Sequence, residues 1–268
     1  MNFALNIWNN RLGEVWNLLT VSPQEFKGGA IWSVIQTIHG TLQATGLALL
    51  VLFFAAGAVK TCGSYVEFKR PEQALKIFVR FAIAKGVVTY GMELMLAFLE
   101  IAQGMLSSVM TASGAVAADT TLPESLLTAV EESSLIASLG LMAVALIGML
   151  VIVVLSFMLV ITVYGRLFRL YLYTAISPVP LSAFAGEPTQ QIGISFIKSY
   201  ASVCLEGVII ALCCVIYSAY AAAPPSVSAD ASAAMQVLTY IGELAFNMLV
   251  LVGLIKGASQ VTREMMGL

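Results

Sequence analysis

The chain has 268 residues, 59% of them apolar and only 10% charged, whereas soluble domains average about 25% charged residues. With a mean hydropathy of +0.92, it lacks the polar surface a soluble helical protein of this size needs, and the composition points to an all-α, polytopic membrane protein. The net charge of −2 says little as a sum; the placement of the 13 Lys and Arg residues says more.

Residues 3–19 place Leu5, Trp8, Leu12, Trp16 and Leu19 on one helical face, with Asn6, Asn10, Glu14 and Asn17 mostly opposite. This is an amphipathic helix within an outer segment, 1–27. It either lies at a membrane interface with its two Trp at headgroup depth or docks on protein. Ser22-Pro23 and Gly28-Gly29 interrupt it. From Gly28 to Val59 the only titratable residue is His39, and a span is expected at about 40–59 with 30–39 leading into it. A lone His there reads as a hydrogen-bonded structural residue more readily than as a ligand. No basic region followed by an apolar core opens the sequence, so a cleaved signal peptide is not expected.

Lys60, Lys69, Arg70, Lys76, Arg80 and Lys85 follow. Pro71 suits a first helical turn, and Glu72, Lys76 and Arg80 recur at i+4 against Leu75, Ile77, Phe78, Phe81 and Ile83. The pattern predicts a basic amphipathic helix on a membrane surface. Its default contact is anionic lipid, and its sharper one an ATPase or nucleic acid. The second span, about 86–108, carries Glu93, Glu100 and Ser107 at seven-residue intervals. A carboxyl facing lipid is costly, so this stripe is expected to face protein or water.

Residues 109–132 hold acids but no Lys or Arg. Ser133 to Gly165 is then a run of 33 residues without one Asp, Glu, Lys or Arg. About 20 helical residues cross a bilayer core, so the third span, 134–165, has residues to spare. It ends in Arg166 and Arg169. Pro178 and Pro180 then break any straight helix, so 170–187 reads as a helix extension followed by an interfacial or re-entrant elbow, with a sixth crossing as the alternative. The fourth span, about 199–221, places Ser199, Ser202, Glu206, Cys213 and Tyr217 near one face. The fifth, about 235–255, carries Gln236, Tyr240, Glu243 and Asn247 at helical spacing. Residues 1–268 read as one integral membrane domain.

Eleven of the 13 Lys and Arg fall in 60–85, 166–198 and 256–268. The positive-inside rule puts those segments in the cytoplasm, with the N-terminus outside and the C-terminus inside. Lys69, Arg70, Lys76, Arg80, Lys85, Arg166 and Arg169 then form a basic cytoplasmic face.

The sequence contains no HExxH, P-loop, GxGxxG or metal-ligand spacing. Cys62, Cys204, Cys213 and Cys214 lie in or beside apolar runs without a CxxC, and adjacent Cys213-Cys214 is poorly placed for a disulfide. No enzyme activity and no cofactor are expected. The intramembrane polar residues Glu93, Glu100, Glu206, Glu243 and Asn247 keep three readings open. The carboxyls are packing residues within the bundle, they pair with cations, or they line an ion path. The last would make the chain a small-solute or ion transporter using buried glutamates.

The stretch from Tyr164 to Gly186, YGRLFRLYLYTAISPVPLSAFAG, resembles the TrbL-like family of polytopic inner-membrane subunits of type IV secretion and conjugation machines, in the form found in Gram-positive conjugative elements. Arg166, Arg169, Ala175, Pro178, Pro180 and Leu181 match its pattern of a long span ending in basic residues and an Ala-x-x-Pro-x-Pro-Leu elbow. The resemblance implies a non-enzymatic membrane platform or passage for a relaxase with attached single-stranded DNA. Its implied partners are membrane lipid, further copies of itself and other secretion subunits including a transfer ATPase, with transient contact to the relaxase-DNA substrate.

Overall fold

A computed structural model describes residues 2–62, 71–113, 135–221 and 233–268. Lys69 and Arg70 lie outside the described residues, as do most of the two cation-free connections. The described residues are almost all helical, with no strand among them: α1 (Asn2–Thr20), α2 (Ala30–Cys62), α3 (Pro71–Thr89), α4 (Gly91–Ser113), α5 (Leu135–Ile176), α6 (Gln190–Ala221) and α7 (Ala233–Met265). Five stretches are long and apolar enough to cross a membrane: Phe26–Lys60, Gly91–Ala112, Gly140–Ile176, Gln190–Ala221 and Met235–Met265. The chain is thus a polytopic, all-α membrane protein with five candidate spans.

The helices are longer than the hydropathy runs that announce them. α2 is continuous from Ala30, because nothing between 30 and 39 breaks a helix, and His39 lies inside it. Its start is set by the turn Phe26–Gly29, where Lys27, Gly28 and Gly29 have positive φ. Two consecutive glycines reach that region at no steric cost. α3 ends at Thr89, and Tyr90 makes a turn through which the backbone ladder continues, from Tyr90 N to Gly86 O at 2.9 Å and from Leu94 N to Tyr90 O at 3.0 Å.

The chain divides into two compact units. The first comprises Met1–Thr20, Leu106–Gly165 and Val208–Ala258. Here α1 buries Ala4, Leu5, Trp8, Leu12, Val15, Leu18 and Leu19, a stripe at helical spacing. Its polar edge meets α5: Arg11 sits 5.2 Å from the Phe157 ring centroid, and Tyr164 OH donates to Glu14 at 3.1 Å. Of the two readings of the amphipathic helix, docking on protein is the one the structure adopts. The second unit comprises Val21–Met105, Arg166–Gly207 and Ser259–Leu268. Its core joins Leu50 of α2, Val88 of α3, Met95 and Leu99 of α4, Leu170 of α5 and Tyr200 of α6.

Candidate functional site: a polar seam at the proline elbow

The second unit is organised around the break that follows α5. Pro178–Leu181 forms a single helical turn and Ser182–Ala185 a 3-10 turn. Leu181, Ser182 and Ala183 are buried, and this elbow packs on α2 and α3. Close backbone approach makes the packing possible. A Cβ at Gly46 would fall 2.6 Å from Pro178 O, and one at Gly57 would fall 3.1 Å from Gly186 Cα.

Proline removes the N–H that would bond four residues back, so Pro178 frees the carbonyl of Thr174. A buried orphan carbonyl is costly, and the chain supplies two donors. His39 Nδ1 donates to Thr174 O at 3.0 Å and Ser177 OH donates to it at 3.0 Å. His39 is 5% exposed. It acts as the hydrogen-bonded partner of the break and ties α2 to α5 across the elbow. Tyr171 OH reaches Pro23 O at 2.7 Å and Tyr200 OH reaches Met95 O at 3.0 Å, so further aromatic hydroxyls close main-chain acceptors around the same core.

One helical turn before these groups lies the basic end of the long run. The reading of Arg166 as part of an open basic face is corrected, while Arg169 stays half-exposed and ion-paired. Arg166 is buried, and it donates from Nε to Val203 O and from Nη2 to Cys204 O, both at 3.2 Å. Gly207 makes the room: a Cβ there would collide with the guanidinium. Arg169 donates to Glu206 Oε1 at 2.7 Å, and that carboxylate is 1% exposed. A carboxylate at membrane depth is tolerated when a cation meets it inside the protein. Arg166 and Arg169 follow a span that carries no acid, and their partners stand 37 and more residues later on α6.

The other acids behave differently, and the description of all four as buried glutamates is corrected. Glu93, Ala97 and Glu100 are exposed along α4, whose buried face is Met95, Leu99, Ala102 and Leu106. On α7, Glu243 and Asn247 are half-buried, while Leu244, Met248 and Leu251 fill the interior. On α3, Lys76 and Arg80 share a face, while Lys85 lies nearly opposite Lys76 by helical rotation. Arg80 pairs with Glu187 at 3.3 Å. Among the described residues no group of three or more His, Cys, Asp or Glu side chains is placed to hold a metal ion. Cys204 and Cys214 are buried free thiols and Cys213 is a half-buried one.

Sequence reasoning did not find Thr174, Ser177 or Gly207 as parts of this seam. Pro178 was a usable signal for the first two, because a proline always frees a carbonyl four residues earlier. Nothing in the sequence marks Gly207 as the place where an arginine enters.

No curated protein and no solved structure matches the chain. A family model described as TrbL/VirB6 plasmid conjugal transfer like protein matches residues 8–178, which is more than half of the chain and takes in Arg166, Arg169 and the start of the elbow. Membership implies association with other components of a conjugative transfer system. The chain belongs to the TrbL/VirB6 plasmid conjugal transfer like family, and is a multi-pass membrane component of a conjugal transfer, type IV secretion apparatus.

Proposed function

We propose that this chain helps build the platform or passage by which a relaxase with attached single-stranded DNA leaves the donor cell, acting by assembly and not by catalysis. It does so as a homo-oligomer that also touches other transfer subunits, a transfer ATPase among them. The observation that carries the reading is the outward stripe of Glu93 and Glu100 on a spanning helix of a conjugal transfer protein. A charged side chain at the bilayer centre costs about 2.5–3.5 kcal/mol on insertion scales. Glu100 lies near the middle of the Gly91–Ala112 span and Glu93 in its first turn, so the face that carries them belongs against another subunit or against water.

The connections at 109–132 and 222–234 carry no Lys or Arg, and the positive-inside rule favours the cytoplasmic side for the six cations of 60–85. The α3 cations then lie on the cytoplasmic side, where they meet a polyanion or an acidic partner surface. The α4 acids do not grip phosphate, because like charges repel strongly at low dielectric. Glu206, the one fully buried acid among the four, is taken up by Arg169, which leaves the transporter reading without a free carboxyl at that position.

Donor cells that carry Glu93→Gln with Glu100→Gln test the proposal. Transfer frequency is expected to fall by about tenfold or more, equivalent to about 1.4 kcal/mol lost at the contact, with unchanged amounts of protein in the membrane. Unchanged transfer would remove the stripe from the account.

A further inference from the structure

A groove of about 530 Å³ opens in the second unit between α3, the elbow and the beginnings of α4 and α6. Its α3 wall runs from Lys76 and Arg80 at one end through Ile83 to Val87 at the other. At about 1.5 Å per helical residue this wall is about 16 Å long, close to half of the roughly 30 Å hydrocarbon core of a bilayer. Leu94, Phe184 and Ile197 line the remaining sides. The groove is thus apolar along nearly all of its wall, with Gln190 as a further lining residue, and Lys76 and Arg80 flank one end. α3 is not among the five candidate spans, yet it exposes Leu75 at 65%, Phe78 at 67% and Ile83 at 62%. A helix with that surface and three exposed or half-exposed cations suits the boundary between headgroups and acyl chains.

We infer that this groove binds one anionic phospholipid, with an acyl chain along Ile83, Val87, Leu94 and Phe184 and the phosphate against Lys76 and Arg80. Charge complementarity selects the occupant. A neutral apolar ligand makes no use of Lys76 or of the donors of Arg80 beyond its one contact with Glu187, and a free polar anion leaves the apolar wall bare. Glu187 sets the strength of the site, because its carboxylate lies 3.3 Å from Arg80 and competes with the phosphate for the same guanidinium. The site is independent of the transfer role proposed above and would hold in the isolated chain.

The test is native mass spectrometry of the full chain in detergent, supplied with phosphatidylglycerol or phosphatidylcholine of identical acyl chains. One phosphatidylglycerol is expected to be retained about tenfold better than phosphatidylcholine, in keeping with two basic contacts near a lipid surface. Lys76→Gln with Arg80→Gln brings the two lipids to parity. Glu187→Gln raises phosphatidylglycerol retention, since Arg80 is no longer shared. Ile83→Trp fills the groove and abolishes retention of that lipid with both cations in place. Equal retention of the two lipids by the unmodified chain, full retention by the Ile83→Trp variant, or a Glu187→Gln variant that binds less tightly would each overturn the assignment. The last two variants decide the matter even where the double substitution fails to fold.

Discussion

Glu206 and Glu100 are the same residue type on similar apolar spanning helices, and the fold treats them oppositely. Glu206 is 1% exposed and bonded to Arg169, beside an Arg166 that caps two carbonyls of the same helix. Glu100, with Glu93 one heptad before it, points away from the core that Met95 and Leu99 fill. The difference teaches that a carboxyl in an apolar helix is not one kind of signal. Where the chain provides its own cation, the acid fastens helices together. Where the chain turns the acid outward, the proposed function places its use outside the single chain.

Several substitutions would break or sharpen this contrast. The largest effect is expected at the inner pair. Arg169→Ala strands a buried carboxylate, a change that costs about 3–5 kcal/mol in general, here toward the lower end because Arg169 is 43% exposed. Thermal unfolding in detergent, read by a thiol-reactive dye as buried Cys204 and Cys214 become accessible, would report it. Adding Glu206→Gln should recover most of the loss, since the stranded charge is then gone. A stable Arg169→Ala protein would mean that the pair does not hold α5 to α6.

Close backbone approaches come next. Gly46→Val or Gly207→Val forces side-chain atoms against Pro178 O or the Arg166 guanidinium, and overpacking of this kind costs about 1–3 kcal/mol. The same unfolding assay reads both variants, and stability equal to that of the unmodified chain would deny the contacts.

His39→Ala leaves Thr174 O with one donor fewer, at about 1 kcal/mol. Pro178→Ala gives the backbone back an N–H at the position that would bond that carbonyl. The histidine should therefore matter less in the Pro178→Ala background, and a double-mutant cycle measures the coupling. No coupling would show that the two residues serve separate ends.

The smallest stability effect is expected at the outward stripe. Glu93→Gln and Glu100→Gln should stay within about 0.5 kcal/mol of the unmodified chain, as exposed substitutions do. Aggregation or a large loss of stability would place those carboxyls in the chain's own packing.

Much of the fold was legible because membrane helices leave a coarse trace. Long apolar runs with few charges announced the five spans, and Pro178 and Pro180 announced the break. Boundaries were less legible: hydropathy marks where lipid is favourable, while a helix continues until its backbone is interrupted, as α2 does back to Ala30 and α5 on to Ile176. The site was read in part. Arg166 and Arg169 stood out by type and position, but taking them as surface charge was the natural reading of cations after a span. Their partners on α6 are linked to them only through the tertiary fold, and no local periodicity pairs residue 169 with residue 206. The stripe at Glu93 and Glu100 was visible as a seven-residue repeat. Which way it turns depends on how α4 packs its opposite face, Met95 and Leu99, on the core that includes Tyr200, which the repeat alone does not contain.

The most direct test places a photo-crosslinking residue at Ala97, exposed between Glu93 and Glu100, in donor cells with the whole transfer apparatus. The account predicts protein adducts, to a second copy of this chain or to another transfer subunit. Adducts to lipid alone, in cells that still transfer DNA, would contradict it.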